Sequence, residues 1–163
     1  MDATTELSLP VAAQPSLDAV VSLAVEAEAD GYERVWLPET WGRDAVTILS
    51  LAAERTETVG LGTSILNVYS RSPTLLGQTA ATLQEASDGR FRLGIGPSGP
   101  AVIENWHGQP FRNPLRQTRE TGEIAKRVLT GEPGDYDGDH VDLAGARLRC
   151  QAPDPAPPVD AAG

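Results

Sequence analysis

Lysine is almost missing from this 163-residue chain: Lys126 is the only one among 13 basic residues, and the rest are arginine. Cysteine occurs once, as Cys150, so no internal disulfide can form, which suits a reducing cytoplasm. Aromatic residues make up only 5%. There is no run of about 18 apolar residues, and no basic stretch leading into an apolar one opens the chain. Neither a membrane span nor a secretory leader is therefore predicted. Positive charge is scarce as well. With 23 acidic residues the net charge is −10, which repels phosphate backbones and argues against a nucleic-acid partner. The replacement of Lys by Arg fits GC-rich coding. It equally fits a salt-loving cytoplasm, where an acidic surface keeps a protein soluble while salt screens its self-repulsion.

What is present suffices for one domain. Apolar residues are 40% of the chain, enough for a core, and the length matches a single unit of about 150 residues. Four repeats of strand then helix run to about residue 97. The first strand is Thr5 to Leu9, and Ser16 caps a helix that presents Leu17, Val20, Val21 and Ala24 on one face before Gly31. The second strand is Arg34 to Leu37. After the loop Pro38 to Arg43, Asp44 caps a helix that buries Ile48, Leu51 and Ala52. Val59 to Ile65 forms the third strand, and Ser72-Pro73 opens a helix running to Gly89. The fourth strand, Arg90 to Ile95, ends in Gly96-Pro97-Ser98-Gly99-Pro100. Repeated β-then-α units predict parallel strands covered by helices, in a (β/α)8 barrel or a doubly wound sheet.

The rhythm then changes. Residues 101–112 read as loop, and Asn113-Pro114 starts a helix with Leu115, Ile124, Ala125, Val128 and Leu129 toward the core. Tyr136 to Arg149 reads as a hairpin around Asp137-Gly138. Pro158 to Ala162 has the character of one more strand start, and the sequence ends at Gly163. A closed barrel needs about 250 residues. The expectation is the N-terminal part of something longer, with unpaired edge strands.

The motifs leave the chemistry open. Gly94-Ile95-Gly96-Pro97-Ser98-Gly99 matches G-x-G-x-x-G after a strand, but the breakers in 101–112 stand where a dinucleotide-binding helix should begin. A Gly-rich loop whose bare backbone admits a planar cofactor fits better. Glu39, with Thr40 and Trp41, follows the second strand. Carboxylates at strand ends of parallel α/β folds are candidate acids, bases or cofactor contacts, and a plain loop glutamate is the other reading. Asp135 to Asp139 suggests a calcium loop, but His140 and Ala146 stand where Gly and Glu are required. His107, His140 and Cys150 lack metal-ligand spacing, so no metal site is predicted. No nucleophile elbow occurs.

Several segments together resemble the bacterial luciferase-like family: Gly31 to Glu39, Gly60 to Ile65, Tyr69 to Pro73, Gln78 to Ala86 and Asp88 to Gly96. Leu129 to Pro133 and Tyr136-Asp137-Gly138 resemble the insertion after that family's fourth strand. Within the family the chain is most similar to archaeal oxidoreductases that use coenzyme F420, a 5-deazaflavin, and that are related to methylenetetrahydromethanopterin reductase. A halophilic archaeal source would fit the acidic composition.

The resemblance implies a (β/α)8 TIM barrel, here truncated to about strands one to five, with residues 1–163 one part-domain and a helix-plus-hairpin insertion at about 101–152. It implies a cytoplasmic homodimer acting on a small-molecule substrate. Hydride would pass between F420 and that substrate, or FMN would serve a monooxygenase instead; a non-catalytic half-barrel is the rival of another class. By match, a non-proline cis peptide falls at Ser64-Ile65, against the cofactor ring. Gly96, Pro97 and Ser98 would border the ring, and Thr40 would contact the cofactor. Many members carry an acid–His pair after strand two. Here Glu39-Thr40 keeps the carboxylate and loses the imidazole, which points to Glu39 as a polar contact or weak base.

Overall fold

Three helices start where a short polar side chain satisfies the first free backbone N–H groups. Ser16 accepts from Ala19 N (3.1 Å), Asp44 from Thr47 N (2.7 Å) and Ser72 from Leu75 N (3.2 Å). These open α1 (Leu17–Ala29), α2 (Ala45–Arg55) and α3 (Pro73–Ala86), the last with proline in its first turn. The computed structural model describes residues 5–133 and 135–162.

The strands are β1 (Glu6–Ser8), β2 (Arg34–Leu37), β3 (Gly60–Thr63), β4 (Leu66–Asn67), β5 (Phe91–Gly96) and, after a long excursion, β8 (Val159–Ala161). All pair in parallel, in the order β1, β2, β3 continued by β4, β5, β8. Helices α1, α2 and α3 each follow a strand, and their core unites Val20, Val21, Ile48, Leu49, Leu76 and Leu83 with the outward strand residues Val35, Leu37, Leu61, Leu93 and Ile95. This is the parallel α/β sheet of a barrel wall. Between β5 and β8 come a π-helical turn (Ala101–Trp106), α4 (Pro114–Leu129) and the antiparallel pair β6 (Tyr136–Asp137) with β7 (Asp142–Leu143).

Alternation along the strands sends the other set of side chains inward: Glu6 and Ser8, Arg34 and Trp36, Gly60 and Gly62, Arg92 and Gly94, and Asp160. Arg34 fills the space over Gly60, and Trp36 that over Gly62, where an added Cβ would come within 2.4 Å of the indole. Trp36 Nε1 donates to Glu6 Oε2 (2.9 Å), and Arg92 Nε pairs with Asp160 Oδ2 (2.7 Å).

One register detail decides the mouth. Gly62 pairs with Arg92 and Leu66 with Ile95, so four steps on β3–β4 oppose three on β5. The additional residue is a bulge at Ser64-Ile65, whose peptide bond is cis, as the resemblance implied. The bulge inverts the alternation beyond it. Leu66 turns outward into the core, while Asn67, level with Gly96, turns inward.

Several expectations are corrected. Leu17 and Leu51 are each 37% exposed and Leu115 is 70% exposed; Leu49 takes the core place expected of Leu51. The third strand is interrupted rather than continuous, and residues 101–106 are helical rather than loop. The hairpin is shorter than Tyr136 to Arg149 and closes through Gly138 N to Val141 O (3.0 Å), with Glu120 accepting from the N–H groups of Asp139 and His140.

Candidate functional site

The C-terminal ends of β2, β3–β4 and β5 lie side by side, so their loops share one rim. In parallel α/β folds that rim is where ligands bind. A cavity of about 260 Å³ opens there on the inward face, lined by Ser8, Trp36, Thr63, Ser64, Ile65, Gly94 and Asp160 to Ala162. Its apolar surface comes from the Trp36 indole and the Ile65 side chain, because the glycines beside them carry nothing. At Gly94 a Cβ would lie 2.0 Å from the Thr63 carbonyl oxygen. Thr63 Oγ1 locks that contact by donating to Gly94 O (2.8 Å) and accepting from Gly94 N (2.9 Å). A hollow of about 550 Å³ exists at the opposite end, between the end of α3 and residues 150–155. It is larger, but no strand-end group faces it.

Glu39 is buried at the end of β2, and Arg71 grips it in two places, from Nη1 to Oε2 and from Nη2 to Oε1 (3.0 Å). Oε1 also accepts from Ala45 N (3.1 Å), the first residue of α2. Arg71 Nη2 reaches Asp44 Oδ2 (2.7 Å) as well, so one guanidinium joins two carboxylates from the β2–α2 loop to the loop before α3. Burial alone would weaken the Arg71 proton, but the bonds and charges of Glu39 and Asp44 outweigh it and push its pKa up. Burial likewise favours the neutral acid at Asp44, yet the two Thr47 donors and Arg71 hold it below the usual range.

Ser64 and Ile65 line the cavity, while Thr40, Gly96, Pro97 and Ser98 lie on the same rim without lining it. Ser98 holds a positive φ of 57°. Sequence reasoning gave no role at the site to Trp36, Arg71, Asn67 or His107. Period-two alternation from Arg34 would have aimed Trp36 inward; nothing in the spacing marks Arg71 as a partner of Glu39. His107, set aside for want of a metal partner, stands with its Nε2 3.3 Å from Asn67 Nδ2. Among the described residues no group of three or more His, Cys, Asp or Glu could hold a metal, and no helix is long and apolar enough to cross a membrane.

The sequence profile of the luciferase-like monooxygenase family matches residues 2–163. A putative coenzyme F420-dependent oxidoreductase of Mycobacterium tuberculosis is 42% identical over 122 residues, covering 74% of this chain and 35% of that protein. The coenzyme F420-dependent tetrahydromethanopterin reductase structure from Methanopyrus kandleri superposes with a TM-score of 0.82 at 27% identity, over 91% of this chain and 46% of that one. A Baeyer–Villiger monooxygenase component from Pseudomonas putida, in complex with FMN, superposes with a TM-score of 0.82 at 18% identity, over 99% of this chain and 51% of that one. The chain thus spans about a third to a half of the proteins it matches.

Proposed function

The chain belongs to the luciferase-like monooxygenase family, and from that premise we propose that it forms part of an F420-dependent oxidoreductase exchanging hydride with a small organic substrate. The observation that carries this reading is the flat apolar surface of Trp36 and Ile65 over side-chain-free backbone, facing a cavity at the strand ends. Such a surface fits one face of a conjugated ring, and the polar walls Ser8, Ser64 and Asp160 fit its heteroatom edge. The 42% identity to a putative F420-dependent oxidoreductase supports the deazaflavin as that ring.

Bound there, the deazaflavin would supply the hydride chemistry. The chain's own residues would bind and orient it. Ser64 and Ile65 would back the ring, Gly96, Pro97 and Ser98 would border it, and Thr40 would contact it from the rim. Glu39 serves as a positioning residue: both its oxygens are occupied by Arg71 and the Ala45 N–H, so it fixes two rim loops against each other. A salt-rich cytoplasm belongs to the same proposal, supported by the charge of −10 and the lone exposed Cys150, and the homodimer is what the family resemblance implies.

The FMN monooxygenase reading has the fold likeness to the FMN-bound Pseudomonas putida protein in its favour. Titrating each cofactor with the purified chain at high salt, followed by cofactor fluorescence, separates the two. Saturable binding of F420 alone is the expected result. Binding of FMN alone would transfer the proposal to the monooxygenase reading, and binding of neither by a folded chain would leave this part a non-catalytic half-barrel.

A further inference from the structure

Asn67 ends β4 fully buried and facing inward beside Gly96. Its Oδ1 accepts from the backbone N–H groups of Tyr69 (3.1 Å) and Ser70 (2.8 Å). Those two donors fix the orientation of the amide, so its nitrogen is the atom turned toward His107, 3.3 Å from Nε2. An amide NH2 only donates, so Nε2 must accept, and the neutral ring then carries its proton on Nδ1. The loop that holds His107 is moored to the same strand end. Tyr69 Oη donates to Arg112 O (3.0 Å), the Tyr69 and Phe111 rings lie 5.5 Å apart, and Gln117 Nε2 donates to Val68 O (3.1 Å). The imidazole is half-buried, and its Nδ1, on the far side of the ring from Asn67, has no partner among the described residues.

We propose that His107 is a ligand-binding residue at the mouth, donating from Nδ1–H to a carbonyl oxygen. Glu39 and Arg71 are bound to each other and to Asp44, so neither has a free group to turn to a ligand, whereas His107 offers an N–H donor already oriented by a buried amide. A donor fixed in advance is most useful where an oxygen gains negative charge, as a carbonyl oxygen does when hydride adds to its carbon and the π pair moves onto oxygen. The carbonyl belongs either to the deazaflavin ring or to the compound exchanging hydride with it. The tautomer stands without the F420 reading; the identity of the ligand rests on it.

Nitrogen-15 spectra of the histidine-labelled full chain test both parts. The wild type should show Nδ1 protonated and Nε2 bare at His107. Asn67→Asp should move the proton to Nε2, because a carboxylate accepts from the ring while still accepting from Tyr69 and Ser70. Protonated Nε2 in the wild type would overturn the proposal. Adding F420 and then acetone separates the sources. A downfield move of the Nδ1 proton with F420 alone assigns the ring carbonyl, and one that needs acetone assigns the substrate. An unmoved proton with F420 bound and acetone present would overturn the ligand role. If F420 does not bind, the function reading fails for this chain, and the response to acetone alone decides the inference in the same way. His107→Phe should weaken whichever ligand moves the proton by about fivefold, the loss of one hydrogen bond.

Discussion

Arg71 spans both oxygens of Glu39 and continues to Asp44, so the loop after β2 and the loop before α3 are tied by one guanidinium. Glu39 and Arg71 are both largely buried, and each carboxylate oxygen already accepts a hydrogen bond from Arg71.

Replacing Arg71 by Leu strands that carboxylate in a dry place. Breaking a buried pair from one side costs about 3–5 kcal/mol, and Arg71→Leu is expected to lose at least about 3 kcal/mol in urea unfolding at neutral pH. Glu39→Gln should lose less, since the amide oxygen still accepts from Ala45 N and Arg71 keeps Asp44. Equal losses from the two substitutions would contradict this account of the pair.

Glu28 makes stability pH-dependent at the opposite end of the sheet. Burial works toward raising its pKa, but backbone N–H groups of Thr58, Val59 and Glu57 and the Thr58 hydroxyl outweigh it and hold the carboxyl at about 2, against an ordinary 4.5. A pKa lowered by folding means that the unfolded chain binds the proton more readily. The contribution is therefore whole above about pH 4.5 and is lost as pH falls toward about 2. Urea midpoints between pH 6 and pH 3 should fall more steeply for the wild type than for Glu28→Gln.

Gly94→Ala should be severe. The new Cβ would meet the Thr63 carbonyl oxygen at 2.0 Å, and the two backbones are held together there by the Thr63 hydroxyl. Overpacking of this kind costs about 1–3 kcal/mol or more. Thermal unfolding is the check, and an unchanged melting temperature would show that β5 can move away from the bulge.

Trp36 tests the ring surface. Trp36→Phe keeps an aromatic face and loses only the bond to Glu6, so F420 affinity should change little; Trp36→Ala removes the face and should weaken binding by roughly two- to tenfold, as aromatic contacts are worth about 0.5–1.5 kcal/mol. Equal affinity in both variants would place the ring elsewhere.

Much of the wall was legible because it is written in local chemistry. Ser16, Asp44 and Ser72 cap the helices they were expected to cap, and Arg34 to Leu37 is a strand at the expected residues, since caps and apolar periods act over a few neighbouring positions. Leu17 and Leu115 stand at helix starts and Leu51 in the middle of α2; each was misplaced because an apolar residue can fit the period whether or not another element covers it.

The sequence by itself determined the alternation of strand and helix, the glycine-bare strand ends, the acidic character and the family likeness, all of which depend on residue type and short spacing. Only the tertiary structure decided which groups meet. Simple alternation from Gly62 sends Asn67 outward; the one-residue bulge against β5 reverses it and sets the amide under His107, 40 residues further on. Arg71 likewise finds Glu39 across 32 residues through the packing of two loops. Such pairings arise from register and loop closure, which no local pattern encodes.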